Sequence, residues 1–310
     1  MKAIALCINV PELADGGFRD PVKCAKYRGS GWAPYFVEYA KARGISVQDG
    51  ACWYPQEPDL TVIQEELNDQ AAGMIGRGAK PGLLFSFESP LYAPDFYDAL
   101  PRLKETFPRQ MLFSGGTDPV YFPSFDWSEV RKISPWGERK GVCLVAANKH
   151  YSMLPAKPDS PSFQGALKAQ LHDIRYRAIQ KLNPTIYGTG WSPFNLPCAD
   201  KIKTLSQYKY ALCFENVSQP GYITEKIIDC LVAGTVPIYM GAPDIWKRVP
   251  NQAMLDWAHD SARLHDDFLS DEADWTHRVR VGRDFLYERG WKYSYPGFAQ
   301  WVLDILEGKA

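Results

Sequence analysis

The chain has 310 residues, 45% of them hydrophobic and 23% charged, which is enough apolar material for two cored domains of ordinary size. Its formal net charge of −1 argues against recruitment of nucleic acid or an anionic membrane by bulk attraction. No apolar run reaches the roughly 18 residues a membrane-spanning helix needs, and the opening MKAIALCINV is too short for a secretory leader.

In chain order, Ala3–Val10 is predicted as a buried strand, Ala33–Arg43 as a helix stopped by Gly44, and Ile45–Val47 and Ala51–Tyr54 as short extended runs. Leu60–Ala72 is predicted as a second helix. Gly82–Phe87 is a strand running into Glu88-Ser89-Pro90, and Asp95–Glu105 a helix broken by Pro101. Met111–Ser114 and Val120–Phe122 are short strands, followed by a turn-rich stretch from Phe125 to Lys140. Gly141–Ala147 restarts the alternation as a new strand. Met153–Phe163 is predicted as a loop. Gly165–Leu182 is one helix with Leu167, Leu171, Ile174, Ala178 and Leu182 on a stripe, ended by Pro184. Strands follow at Thr185–Tyr187 and Tyr208–Glu215, then a helix at Glu225–Ala233 ended by Gly234, and a strand at Val236–Met240 ended by Gly241. The last forty residues are two helical pieces broken near Gly290–Gly297.

This alternation predicts an α/β chain of two Rossmann-like domains facing across a cleft, with a helical tail. The expected divisions are 1–140, 141–270 and 271–310. The seven cysteines (7, 24, 52, 143, 198, 213 and 230) form no CxxC pair, and Cys7, Cys143 and Cys213 lie in apolar runs. No disulfide framework is expected, which favours a reducing, cytoplasmic compartment. Of the 10 Trp and 17 Tyr, a few are candidate sugar platforms and most are packing. The C-terminal rings Trp291, Tyr293, Tyr295, Phe298 and Trp301 are read as packing of the last helix across both domains. Contact with a membrane surface or an acceptor glycan is the other reading.

The chemistry concentrates between Phe214 and Gly241. A strand ends in Glu215-Asn216, a Pro220-Gly221 turn follows, and a helix begins after Thr224, its expected N-cap. Ile223, Ile227, Ile228, Leu231 and Val232 form its buried stripe, leaving Glu225 and Lys226 in the first turn. A helix N-terminus with a lysine suits a diphosphate, and a carboxylate there suits ribose hydroxyls. The same pattern also fits an ordinary capped helix with an exposed Glu/Lys pair. His150 and His172 are the histidines near these motifs, without metal-ligand spacing. There is no DxD, P-loop or GxSxG.

The run FENVSQPGYITEKIIDCLVAGTVPIYMGAP (Phe214–Pro243) resembles the donor-binding signature of the α1,3/4-fucosyltransferase family. FSFESP (Phe85–Pro90) resembles that family's acceptor-side signature, and Ile174-Arg175 with Ile179 and Leu182 resembles its arginine-bearing helix. The resemblance spans about residues 82–245 and implies a GT-B-type fold. It also implies an inverting transfer of L-fucose from GDP-β-L-fucose to a glycan hydroxyl, through an α1,3 or α1,4 link. Glu88 is then the general base, Arg175 and Lys226 the diphosphate clamps, Glu225 a ribose contact, and Tyr222 and Asn216 the lining of the nucleotide pocket. No metal or other cofactor is required on this reading, because two cations and a helix N-terminus offset the leaving diphosphate. The implied partners are a GDP-sugar and an oligosaccharide or glycoconjugate. Another GDP-hexose donor, or a non-catalytic glycan- or nucleotide-binding protein on the same fold, are the alternatives.

Overall fold

The computed structural model describes residues 3–9, 13, 17–25, 30–49, 60–130, 132–150, 154, 156–191, 196–265 and 268–310. Their contacts divide the chain into two units. One is Met1–Ser124 with Ser160–Ser162 and Trp291–Ala310; the other is Phe125–Asp159 with Phe163–Gly290.

The first unit alternates β1 (Ala3–Cys7), α1 (Pro21–Ala25), α2 (Trp32–Lys41), β2 (Ser46–Asp49), β3 (Leu60–Glu65), α3 (Asp69–Gly76), β4 (Lys80–Phe85), α4 (Pro94–Thr106), β5 (Arg109–Leu112) and β6 (Asp118–Pro119). The strands form one parallel sheet in the order β2-β1-β3-β4-β5-β6. All five residues of β1 are buried, as a strand covered on both faces requires.

The second unit runs β7 (Lys140–Val145), α5 (Pro161–Lys168), α6 (His172–Leu182), β8 (Thr185–Tyr187), α7 (Lys201–Leu205), β9 (Tyr208–Phe214), α8 (Glu225–Ala233), β10 (Val236–Met240), β11 (Leu255–Asp256), α9 (Trp257–Asp260) and α10 (Glu272–Arg289). Its parallel sheet has the order β11-β10-β9-β7-β8. Counted from each unit's own first strand, both sheets run 2-1-3-4-5, with β6 added at the edge of the first. In such sheets ligands bind beyond the carboxyl ends of the strands where the order reverses. Those points lie between β1 and β3 and between β7 and β9.

The last forty residues divide between the units. In the second, α10 packs on α8, where Gly282 lies so close to Leu231 that a Cβ would come within 2.8 Å of its Cδ2. Helix α11 (Tyr295–Leu306) belongs to the first unit, where Phe298 meets Trp32 and Phe87 at ring separations of 5.1 and 5.8 Å. Phe298, Tyr293 and Trp301 thus pack within the first unit, the last two edge-on to Tyr121, whereas Trp291 is exposed. The turn-rich stretch before β7 groups with the second unit. Buried Arg139 fastens it there, donating to the carbonyls of Tyr208, Ala233 and Gly234 and so satisfying C-terminal acceptors of α8.

Several elements differ from the sequence expectation. Leu60–Ala72 is not a helix but β3, a polar turn and α3. Thr61-Val62-Ile63 is a short β-branched run that pairs with both β1 and β4, and Asn68 caps α3 by accepting from the Ala71 amide. The single helix expected over Gly165–Leu182 is two. Gln170 pairs with Val217, its side-chain oxygen accepts from the His172 amide at 2.7 Å, and its side-chain nitrogen donates to Asp173. Helix α4 continues through Pro101, which lies on its exposed face. The strand expected at Val120–Phe122 falls instead on Asp118–Pro119, and α5 begins within the expected loop, at Pro161. Ala51–Tyr54 lies outside the described residues, as do residues 151–153 and 155. Helix α8 and strand β10 match their expected bounds residue for residue. The cysteines within the described residues, Cys7, Cys24, Cys143, Cys198, Cys213 and Cys230, are free thiols. No helix among the described residues is long and apolar enough to cross a membrane.

Candidate active site

Strand β9 delivers Glu215 and Asn216 to the reversal point of the second sheet. Three residues later the chain turns sharply. The Tyr222 amide donates to the Gln219 carbonyl, with Pro220 and Gly221 at the corners. Gly221 has φ 76°, the conformation that a type II turn demands at this position. Its amide is tied to Asp244 Oδ1 at 2.7 Å. The turn delivers Thr224 to the N-terminus of α8 and buries Tyr222 and Ile223 beneath it.

Glu215 is the centre of this arrangement. Its carboxylate is fully buried and accepts from the Thr224 amide at 2.8 Å, the Thr224 hydroxyl at 2.8 and 3.0 Å, and Lys226 Nζ at 2.9 Å. Thr224 occupies the N-cap position, but its hydroxyl serves this carboxylate and makes no capping bond to the helix. Lys226 Nζ also reaches Thr224 Oγ1 at 2.9 Å. Gly241 is required on the opposite side. A Cβ there would lie 2.3 Å from the Tyr239 hydroxyl and 2.6 Å from Glu215 Cγ.

Glu225 is held from α7. Lys201 Nζ lies 3.3 Å from Glu225 Oε1 and 2.7 Å from Oδ2 of fully buried Asp229. Burial works to raise the Glu225 pKa, but the Lys226 and then the Lys201 charges outweigh it and hold the carboxyl down at about 2. Burial likewise opposes the Lys226 charge, and Glu215 and Glu225 reverse that effect, leaving its pKa above the ordinary lysine value.

Arg175 is buried on α6. One guanidinium nitrogen donates to the Phe214 carbonyl at 3.0 Å, the Glu215 carbonyl at 3.1 Å and Asn216 Oδ1 at 3.4 Å. It therefore braces the end of β9. Asn216 is half-buried, and its carbonyl accepts from the Leu171 amide. Five expected donor-site residues, Arg175, Asn216, Tyr222, Glu225 and Lys226, thus sit on the strand end, turn and helices of one unit. Nearby, burial and then the Arg175 charge push the His172 pKa down to about 4. Its ring lies 5.6 Å from that of His150.

Glu88 belongs to the first unit. It follows β4 and is exposed, while its neighbours are anchored: the Phe87 ring packs against Phe85 and Phe122. The Glu88 amide donates to Ser86 Oγ at 3.1 Å and its carbonyl accepts from the Tyr97 hydroxyl at 2.8 Å. Two further carboxylates adjoin it. Ser86 Oγ donates to Glu66 at 2.9 Å, and Asn9 donates its amide to Glu65 and its side-chain nitrogen to Glu66. Glu66 has φ 54°, a left-handed conformation that is rare for this residue type. Burial first, then the Glu66 and Glu88 charges, push Glu65 up to about 8.

From sequence, Glu215 has a place beside the chemistry but no named role, and Lys201, Asp229, Glu65 and Glu66 have neither. Glu215 had a local signal, its place directly after a strand. Lys201 and Asp229 had none, because their partners lie on different helices. Glu65 and Glu66 were hidden by the mistaken helix over Leu60–Ala72.

Residues 168–266 match the family described as glycosyltransferase family 10 (fucosyltransferase), C-terminal. An alpha-(1,3)-fucosyltransferase of Helicobacter pylori is 40% identical over 148 residues, 46% of this chain and 27% of that protein. The first two curated relatives are matched over only 32% and 27% of their length. Among solved structures, an alpha1,3-fucosyltransferase with GDP aligns over 99% of this chain and 91% of its own at 19% identity and a TM-score of 0.50. An alpha-glucosyltransferase in complex with UDP and DNA aligns over 98% and 99% at 11% identity and 0.54. These likenesses establish the fold as the GT-B type. Arg175, Asn216, Tyr222, Glu225 and Lys226 all lie within the segment that matches the glycosyltransferase family 10 (fucosyltransferase) C-terminal description.

Proposed function

We propose that this chain transfers L-fucose from GDP-β-L-fucose to a hydroxyl of an acceptor glycan, forming an α1,3 or α1,4 link with inversion. The observation that carries the reading is the α8 N-terminus. Lys226 is fixed there by Glu215 and Thr224, inside the segment that matches the fucosyltransferase family. Departure of GDP builds negative charge on phosphate oxygens. A preorganised lysine, a helix N-terminus and the Arg175 charge behind it would stabilise that charge more in the transition state than in the ground state. Glu225, kept ionised, suits hydrogen bonds from ribose hydroxyls, and the lining of the nucleotide pocket is assigned to Asn216 and Tyr222 on the family resemblance.

Glu88 is the proposed general base. Its backbone is pinned on both sides while its side chain stays accessible, the arrangement needed by a group that must meet an incoming hydroxyl. With a diphosphate leaving group, neither a general acid nor a protein nucleophile is needed, so one displacement inverts the anomeric centre. We further propose that the reaction needs no metal and proceeds in the cytoplasm on an oligosaccharide or glycoconjugate.

The test is GDP release and glycan transfer with a panel of GDP- and UDP-sugars. Release from GDP-fucose above all others supports the reading. Release from a different GDP-hexose would move the donor, and GDP binding without turnover would reduce the protein to a binding module. Full activity after chelation is expected; its loss would remove the metal-free mechanism.

A further inference from the structure

Lys201 stands outside the donor signature, on a different helix, yet it touches two residues of α8. Glu225 and Asp229 are four positions apart and so share one face of that helix. Lys201 Nζ bridges them, at 3.3 Å from Glu225 and 2.7 Å from Asp229. Asp229 is fully buried, and Lys201 has only 19% of its side chain exposed, so water screens neither strongly. The α7 start is itself fixed, since Asp200 caps it by accepting from the Lys203 amide at 2.8 Å. Lys201 and Lys226 also line one pocket, with Val145, Ala146 and Phe214 at the carboxyl ends of β7 and β9. A lysine that served only to neutralise Asp229 would not need to reach Glu225 as well.

We propose that Lys201 is a positioning residue for donor binding: anchored on Asp229, it holds the Glu225 carboxylate in the orientation that accepts the ribose hydroxyls. The inference rests on the GDP-sugar reading of the site. Its mechanism is entropic and electrostatic. A glutamate in the first turn of a helix has several rotamers, and a cation on one side selects among them before the nucleotide arrives.

A double-mutant cycle on the whole chain tests this, read as the GDP dissociation constant by calorimetry. Lys201→Met is made together with Asp229→Asn, so that no lone carboxylate is left buried, and the thermal transition of each variant checks folding. GDP binding should weaken about tenfold, a change within the usual coupling range for contacting residues. The same change in a Glu225→Gln background should produce little further loss, because the residue through which Lys201 acts is already disabled. Lys201→Arg, with Asp229 intact, should recover most of the affinity. Equal losses in both backgrounds, or no loss in the first, would overturn the inference while leaving the donor reading intact. Absence of GDP binding by the unaltered chain would instead overturn the donor reading, and this inference with it.

Discussion

The two sheets share a strand order, and each ends in carboxylates near its reversal point, yet the carboxylates behave in opposite ways. In the second unit Glu215, Glu225 and Asp229 are met by Lys226 and Lys201, and Glu225 stays ionised down to about pH 2. In the first unit Glu65 and Glu66 are met by the neutral donors Asn9 and Ser86, and both pKa values are raised. Strand order therefore locates a site without setting its electrostatics. Paired cations suit a diphosphate, whereas a carboxylate set with raised proton affinity suits removal of a proton from a neutral hydroxyl. On the proposed function, the same topology would serve two chemical tasks, one in each unit.

The sharpest way to break this comparison is at Glu88. Glu88→Gln should lower transfer by about 10²–10⁴-fold, the usual contribution of a positioned base, while GDP binding by calorimetry stays unchanged. Retained activity would remove the base from the first unit. Next in size is Lys226→Ala, which leaves Glu215 buried without its cation. It should destabilise the fold by about 3–5 kcal/mol in urea titrations and weaken GDP binding. Glu215→Gln with Lys226→Met should recover most of the stability but not the binding, which separates the two roles of the lysine.

A smaller effect concerns Glu65, and its sign follows from proton uptake. Below its ordinary value of 4.5 the carboxyl is protonated in the folded and unfolded chains alike. Between 4.5 and about 8 the unfolded chain loses the proton and the folded chain keeps it. Stability should therefore fall with rising pH by at most about 1.4 kcal/mol per unit in that window. Glu65→Gln should flatten the decline, as read from urea midpoints at pH 5, 6 and 7. Glu225 has the opposite sign: it contributes stability above 4.5 that is lost as pH falls toward about 2. The smallest effect is Gly241→Ala, which should cost about 1–3 kcal/mol by displacing Glu215 or Tyr239. Its GDP affinity should drop only as far as Lys226 moves with them.

What could be read from the sequence alone was whatever is decided within a few residues. Helix α8 and strand β10 were legible to the residue because Gly234 and Gly241 stop them locally, and Gly234 does so with φ 68°. The α/β alternation, the turn at Pro220-Gly221 and the placement of Glu225 and Lys226 in a first helical turn were legible for the same reason. The tertiary structure decided everything that depends on a distant partner. Leu60–Glu65 became a strand because β1 and β4 lie on either side of it, whereas its apolar run by itself fits either element. The stripe from Leu167 to Leu182 was divided because Gln170 found Val217, forty-seven positions away. Arg175 reads in sequence as a charge on a helix face, and only packing turned it inward to hold the end of β9. The pairing of Lys201 with Glu225 and Asp229, and of Glu65 with Glu66 and Asn9, exists only because separate elements end at the same edge of a sheet. Electrostatic environment is a property of such neighbourhoods, which is why residue types were legible in sequence and their charge states were not.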